Sequence, residues 1–282
     1  MNLSSARSFL FVPASRPERL AKALASAAGG VIVDLEDAVS PAEKPGARAQ
    51  LVEALAALDA TQRGRVLVRI NAPGTEWHVP DLSAIAPWCA QGLCGAMVPK
   101  AESAQDLHAV ASALGPAAAL VPLVESLAGL DALPQIAGAR QVRRLAFGHI
   151  DFQLDLGLRC TPDEPELAAV RFQIVAASRR ATLAAPIDGV TVALSDGEAT
   201  KRDAVRARAA GFGAKLCIHP SQVDTVNAVF APTEEEVAWA QRVLVAAQAS
   251  GGAAIQVDGK MIDLPVIRLA QQTLGQAPHR SA

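Results

Sequence analysis

The chain has 282 residues, 51% hydrophobic and 19% charged, a balance that supports a large buried core and excludes a disordered or solvating polypeptide. Lys and Arg number 26 against 28 Asp and Glu, so the net charge of -2 offers no basic field for nucleic acid and no polybasic patch for an anionic membrane. The length suits about two average domains or one α/β barrel of roughly 250 residues.

Short apolar runs recur along the chain, each closed by polar residues and followed by a stretch of helical spacing. FLFVPA (9–14) precedes the helical pattern PERLAKALASAA (17–28), and VIVDLED (31–37) precedes AEKPGARAQLVEALAAL (42–58). RVLVRINA (65–72) follows, then GAMVPKA (95–101) with SAQDLHAVASAL (103–114), and AALVPLVES (118–126). RLAFGHIDF (144–152) leads to the long DEPELAAVRFQIVAASRRATL (163–183), and IDGVTVA (187–193) and GAKLCIHP (213–220) complete a set of eight. Ser15 ahead of Pro17, Ser103 and Ser221 supply helix-start signals. Strands apolar on both faces and alternating with helices require a parallel sheet covered on both sides. Eight such units close a TIM (β/α)8 barrel. A doubly wound dinucleotide fold would place GxGxxG between the first strand and helix, and none stands there.

Beyond residue 220 come TEEEVAWAQRVLVAAQ (233–248), the Gly/Ala-rich break SGGAA (250–254) and VDGKMIDLPVIRLAQQTL (257–274). The predicted class is therefore α/β, with residues 1–250 as the barrel and 251–282 as a C-terminal helical extension. No apolar run reaches the ~20 residues of a membrane-spanning helix, and MNLSSARSFLFVPA is too short in its apolar part for a signal peptide. A cytoplasmic protein is expected. Cys89, Cys94, Cys160 and Cys217 form no CxxC pair, which points to buried thiols in place of a disulfide framework or zinc knuckle. Tyr is absent and Trp is rare, which removes the stacking platforms of single-strand nucleic-acid binders.

In a parallel barrel the chemistry lies at the carboxyl ends of the strands, and here those ends are acidic. The second run closes in Asp34-Leu35-Glu36-Asp37, the fifth in Glu125 and the sixth in Asp151. Glu125 and Asp151 close consecutive strands, about 4.8 Å apart in a sheet, so both can converge on one cation. Mg²⁺ suits such a seat, because it accepts one or two carboxylates and leaves its other positions to water and substrate; Mn²⁺ is the substitute ion. Equally, Glu125 can cap the helix SLAGLDALPQ and Asp151 can pair with a neighbouring Arg. Arg69 closes the third run, where its planar fork can hold a carboxylate or enolate oxygen, or can pair with Glu36 or Asp37. The five histidines show no metal spacing, so His149 is expected in the core or behind the site, and His219 as a residue ordering the loop to Ser221. There is no GxSxG elbow, and among the cysteines only Cys217 stands near a histidine, so covalent catalysis has little support.

Taken together these segments resemble the HpcH/HpaI aldolase and citrate lyase β-subunit (CitE-like) family. The segments that carry the resemblance are RSFLFVPASRPERLAKA (7–23), VIVDLEDAVSPAEKPGAR (31–48), VRIN (68–71), VPKAES (98–103), PLVES (122–126), GHIDFQLDLG (148–157) and CIHPSQV (217–223). The resemblance implies a Mg²⁺-binding TIM barrel that cleaves or forms a carbon–carbon bond next to a coenzyme A thioester. It makes Glu125 and Asp151 the metal ligands, Arg69 the substrate-orienting arginine, and Glu36 and Asp37 parts of an acidic loop beside the metal waters. It places Arg16 and Lys44 near the coenzyme A phosphates. Many members read G-A-E-D-L around the second ligand, whereas this chain reads Gly148-His149-Ile150-Asp151-Phe152, which keeps the ligand and drops the acid before it. That version resembles citramalyl-CoA lyases, and VDGKMIDLPVI (257–267) resembles the tail of stand-alone CoA-ester lyases.

The implied reaction converts a β-hydroxyacyl-CoA of the citramalyl-, malyl- or citryl-CoA type into acetyl-CoA and a 2-keto acid by a retro-aldol step. Rival readings are an aldolase on free 2-keto-3-deoxy acids, a partner subunit of a citrate lyase complex, and a plain ligand-binding barrel. Related lyases assemble as homotrimers or hexamers, and Asp263 lies beyond the Gly/Ala break. It is therefore expected to close over an adjacent subunit's site and handle the acetyl-CoA carbon proton, or else to cap the helix LPVIRLAQQTL.

Overall fold

Eight runs of apolar and β-branched residues form eight parallel strands in the computed structural model, which describes residues 3–194, 196–249 and 255–277. They are β1 (Ser8–Pro13), β2 (Gly30–Asp34), β3 (Val66–Arg69), β4 (Gly95–Val98), β5 (Ala119–Val124), β6 (Ala146–Phe147), β7 (Ile187–Asp188) and β8 (Ala214–Cys217). Each pairs with the next, and β8 pairs with β1, so the sheet closes into the expected barrel. Its lumen is filled by alternate side chains, among them Phe9, Ile32, Leu67, Met97, Val121, Ala146, Ile187 and Leu216. At the amino end of the strands Arg144 is buried and its Nη1 donates to the carbonyls of Leu3 and Ala6 at 3.1 and 2.7 Å. That end is thereby sealed, and the opposite end is left for chemistry.

The element ends explain where the functional side chains point. The helix Ala104–Leu114 starts at Ser103, whose hydroxyl accepts from Asp106 N, and Ser126 likewise accepts from Gly129 N ahead of the next helix. Ser126 thus does the capping that Glu125 was a candidate for. After β8 the cap is His219, whose Nδ1 accepts from Ser221 N and lies 2.7 Å from Ser221 Oγ. The run at 144–152 is extended only over Ala146–Phe147. Gly148 takes φ −92° and ψ 68°, and the chain turns at once into the helix His149–Leu156. Asp151 therefore sits in the first turn of a helix, not on a strand. The run at 187–193 is likewise a strand only at Ile187–Asp188.

The chain divides into two units, Met1–Asn227 and Ala228–Ala282, so the division falls ahead of the break at 250 because the helix Glu234–Ala249 packs with the C-terminal segment. In the second unit an antiparallel pair, β9 (Ile255–Val257) and β10 (Lys260–Ile262), turns through Asp258 and Gly259 at φ 52° and 75°. That two-residue turn has the positive dihedrals a twisted hairpin needs. The helix Leu264–Gln276 follows, and Ala240, Val243, Ile262 and Ala270 form a small core. The SGGAA break lies outside the described residues. No helix among the described residues is long and apolar enough to cross a membrane.

Candidate active site at the carboxyl face of the barrel

A cavity of about 1070 Å³ opens at the carboxyl ends of the strands. The ends of β2, β3, β5 and β6 bring Asp34, Asp37, Arg69, Glu125 and Asp151 to its lining, those of β7 and β8 bring Val190, Val192, Leu216 and Ile218, and the exposed Arg19 and Lys22 join from the helix after β1. The cavity thus offers a charged wall, an apolar wall and a cationic edge.

The charged wall is built on register. Asp34 and Arg69 are partners across β2 and β3, and Asp34 takes Arg69 Nε and Nη2 on its two oxygens at 2.7 and 2.6 Å. Arg69 Nη1 meets Glu36 at 2.9 Å and Asp37 at 3.0 Å, and its guanidinium lies 5.0 Å over the Phe11 ring. The pairing expected with Glu36 or Asp37 is present, and Asp34 adds a bidentate grip. Burial works against the Arg69 charge, but these carboxylates hold it above its ordinary pKa. Glu36 is pushed up to about 8 by burial, with Arg69 opposing.

Glu125 closes β5 and turns into the cavity, where Lys100 N donates to its Oε1 at 2.7 Å. Gly148 makes room for it, since a Cβ there would fall 2.5 Å from Glu125 Oε2. Burial raises Glu125 to about 7, against the Lys100 N–H and charge. Lys100 has φ 45°, a left-handed backbone rare outside glycine, and this aims its N–H at Glu125. Its Nζ lies 3.2 Å from Asp151 Oδ2 and 4.0 Å from Glu125 Oε1. A cationic group thus stands against both carboxylates already. Among the described residues no group of three or more His, Cys, Asp or Glu side chains is placed to hold a metal ion, and Glu125 and Asp151 stand as two carboxylates about Lys100. That set fits Mg²⁺, which completes its shell with water and substrate, and does not fit a closed zinc or calcium cage.

Two expected ligand contacts change. Lys44 is buried, and its Nζ donates to Leu35 O, Glu36 O and Asn71 Oδ1 at 2.8, 2.8 and 2.6 Å, so all three donors are used inside the protein and none faces a phosphate. Arg16 is exposed and lies outside the cavity lining, which includes Arg19 and Lys22, three and six residues later in the chain. Asp263 caps the helix Leu264–Gln276, accepting from Val266 N at 3.2 Å.

Sequence reasoning missed Asp34 as the partner of Arg69, missed Lys100, and missed the buried ion pairs around His149, which was expected in the core or behind the site and is buried among the residues lining the cavity. In these pairs Arg171 bridges Glu164 at 2.5 Å and Asp188 at 3.1 Å, and His149 Nε2 lies 3.4 Å from Glu164. The only signal for them was charge inside a helix and a strand that otherwise read as core. His149 is buried against Gly189, where a Cβ would come 2.0 Å from its Nδ1, and burial lowers its pKa.

Residues 7–220 match the family model described as HpcH/HpaI aldolase/citrate lyase. The chain belongs to this family. It is an enzyme of aldolase and lyase type. It is 38% identical to a citrate lyase subunit beta-like protein of Mycobacterium tuberculosis, with 98% of each chain covered. It is 36% identical to a (3S)-malyl-CoA thioesterase of Cereibacter sphaeroides, covering 96% of this chain and 94% of that protein. Among solved structures it resembles CitE from Mycobacterium tuberculosis in complex with magnesium, acetoacetate and coenzyme A, with TM-score 0.84, 36% identity, and coverage of 98% and 99%.

Proposed function

We propose that the protein is a Mg²⁺-dependent CoA-ester lyase that splits a β-hydroxyacyl-CoA of the citramalyl-CoA type into acetyl-CoA and a 2-keto acid. The observation that carries this reading is one cavity with a two-carboxylate seat, a braced arginine, an apolar wall and a cationic edge. Glu125 and Asp151 would hold the metal, and the related CitE complex named above contains magnesium. When bound it would supply Lewis acidity to the hydroxyl and the keto-acid oxygens.

Asp37 is the most exposed carboxylate on Arg69 and faces the cavity, so it is assigned the hydroxyl proton. As the oxygen–carbon double bond forms, the carbon–carbon bond breaks and its electron pair passes to the thioester as an enolate. Arg69 is assigned the enolate oxygen. An acid then protonates the enolate carbon, and Asp263 of an adjacent subunit is assigned that proton. Arg19 and Lys22 at the margin supply charge for the coenzyme A phosphates.

The acyl group is chosen by what the walls lack. A citryl group carries a second free carboxylate where a citramalyl group carries a methyl, and Val190, Val192 and Ile218 offer that carboxylate no cation. A methyl group suits the wall of Val190, Val192 and Ile218. Purified protein with Mg²⁺ should release acetyl-CoA from citramalyl-CoA faster than from malyl-CoA or citryl-CoA. Turnover of a free 2-keto-3-deoxy acid with no response to any acyl-CoA would overturn the reading.

A further inference from the structure

Lys44 opens the helix Lys44–Ala57 yet is buried, with its Nζ 5.1 Å from the centre of the Trp77 ring. The Asn71 amide that receives it is itself held. Asn71 Nδ2 donates to Leu35 O at 3.0 Å and to Asp81 Oδ2 at 2.7 Å, and Arg48 Nε secures the other Asp81 oxygen at 2.8 Å. The seat of the ammonium is therefore rigid.

The acceptors of Lys44 are the carbonyls of Leu35 and Glu36, and the same loop is gripped from its other side. Asp34 Oδ1 accepts from Glu36 N at 2.9 Å and Asp34 Oδ2 from Ala38 N at 3.0 Å. Held at both its N–H and its carbonyl, Glu36 turns its carboxylate, and Asp37 after it, onto Arg69 Nη1. Leu35 and Val39 anchor this loop by burial at its two ends, and between them Glu36, Asp37 and Ala38 are not buried, so their arrangement depends on these polar ties.

We propose that Lys44 is a positioning residue for the reaction: by holding the carbonyls of Leu35 and Glu36 it seats Glu36 and Asp37 on Arg69 and so fixes the guanidinium at the cavity wall. The proposal rests on the acyl-CoA lyase reading above. It differs from a coenzyme A contact in a measurable way, because a positioning residue acts on turnover and a phosphate ligand acts on affinity.

The test uses full-length enzyme with Mg²⁺ and the acyl-CoA that the wild type turns over best. Lys44→Met keeps the reach of the side chain and removes its three donors. A displacement of about 1 Å in a positioning residue costs ~10²-fold, so kcat per folded molecule should fall by that order. The Kd for coenzyme A, measured calorimetrically, should stay within about twofold of wild type, since only kcat is touched. Lys44→Gln retains N–H donors and should recover part of the loss; it carries the same test if the Met variant does not fold. Coenzyme A affinity weakened about tenfold with kcat kept would overturn the proposal in favour of a phosphate contact. So would wild-type kcat in a folded variant, or activity lost only in proportion to the folded fraction. A wild-type protein inactive on every acyl-CoA would overturn the lyase reading and this proposal with it.

Discussion

Asp34 and Arg69 share one rung of the β2–β3 ladder, and carboxylate meets guanidinium edge to edge at 2.7 and 2.6 Å. This fork geometry belongs to arginine and not to lysine. Arg69→Lys is expected to lower kcat by ~10²–10³, the scale of a lost oxyanion donor. An effect confined to KM would mark Arg69 as a uniform-binding residue. Asp34→Asn leaves a buried guanidinium short of its main partner and should cost about 3–5 kcal/mol in chemical denaturation.

The proposed metal seat is tested by two changes with different geometry. Asp151→Asn should abolish Mg²⁺-dependent turnover and leave the melting temperature near wild type, because Asp151 is partly exposed. Gly148→Ala puts a Cβ 2.5 Å from Glu125 Oε2 and 2.6 Å from Glu125 Cβ, so the carboxylate must move. Mn²⁺ binding followed by electron paramagnetic resonance should weaken by ~10–100-fold, the usual cost of disturbing a ligand's support. Wild-type Mn²⁺ affinity in Asp151→Asn would remove Asp151 from the seat.

The pH dependence of stability follows from Asp188, which is wholly buried beside Arg171. Burial alone would raise its pKa, but the charges of Lys215 and Arg171 bring it below the ordinary carboxylate value. A depressed folded pKa contributes stability that is complete above the unfolded value of about 3.9 and is lost as pH falls through the folded value. Urea midpoints should therefore decline below about pH 4, and Asp188→Asn should flatten that decline while lowering stability at neutral pH by about 3–5 kcal/mol. An unaltered slope in the variant would show that the acid limb comes from other groups.

Asp263 has a structural job that must be separated from any chemical one. Asparagine caps a helix about as well as aspartate, so Asp263→Asn should retain stability, while Asp263→Ala should lose about 1 kcal/mol. Activity lost in Asp263→Asn is then chemical. Mixed oligomers of Asp151→Asn and Asp263→Asn should regain part of the activity if one chain supplies the metal seat and another supplies Asp263. No recovery in verified mixed oligomers would confine Asp263 to capping.

Arg19 and Lys22 border the cavity, whereas Arg16 does not. Replacing either bordering residue by Ala should weaken coenzyme A binding and flatten its salt dependence, and Arg16→Ala should leave both near wild type. The reverse order would restore the contact that the family resemblance implies for Arg16.

The amino-acid sequence by itself determined the barrel, because burial on both faces of a strand and amphipathic spacing in the helix after it are local patterns readable residue by residue. It also exposed Glu125, Asp151 and Arg69, since charge at the end of an apolar run has no local use there. What it could not decide was direction. Asp34, Glu36 and Asp37 read alike along the chain, and only the β2–β3 register makes Asp34 the two-handed partner of Arg69. Gly148 reads as a strand residue until its ψ of 68° ends β6 and puts Asp151 on a helix. The family resemblance puts Lys44 near the coenzyme A phosphates, but Asn71, just after β3 and with Asp81 behind it, draws the ammonium inward. Lys100 gives no local signal at all, since its left-handed backbone is imposed by a carboxylate 25 positions away. In each case the deciding partner is distant in sequence, and a hydrogen bond or a steric limit between distant residues leaves no mark on local periodicity.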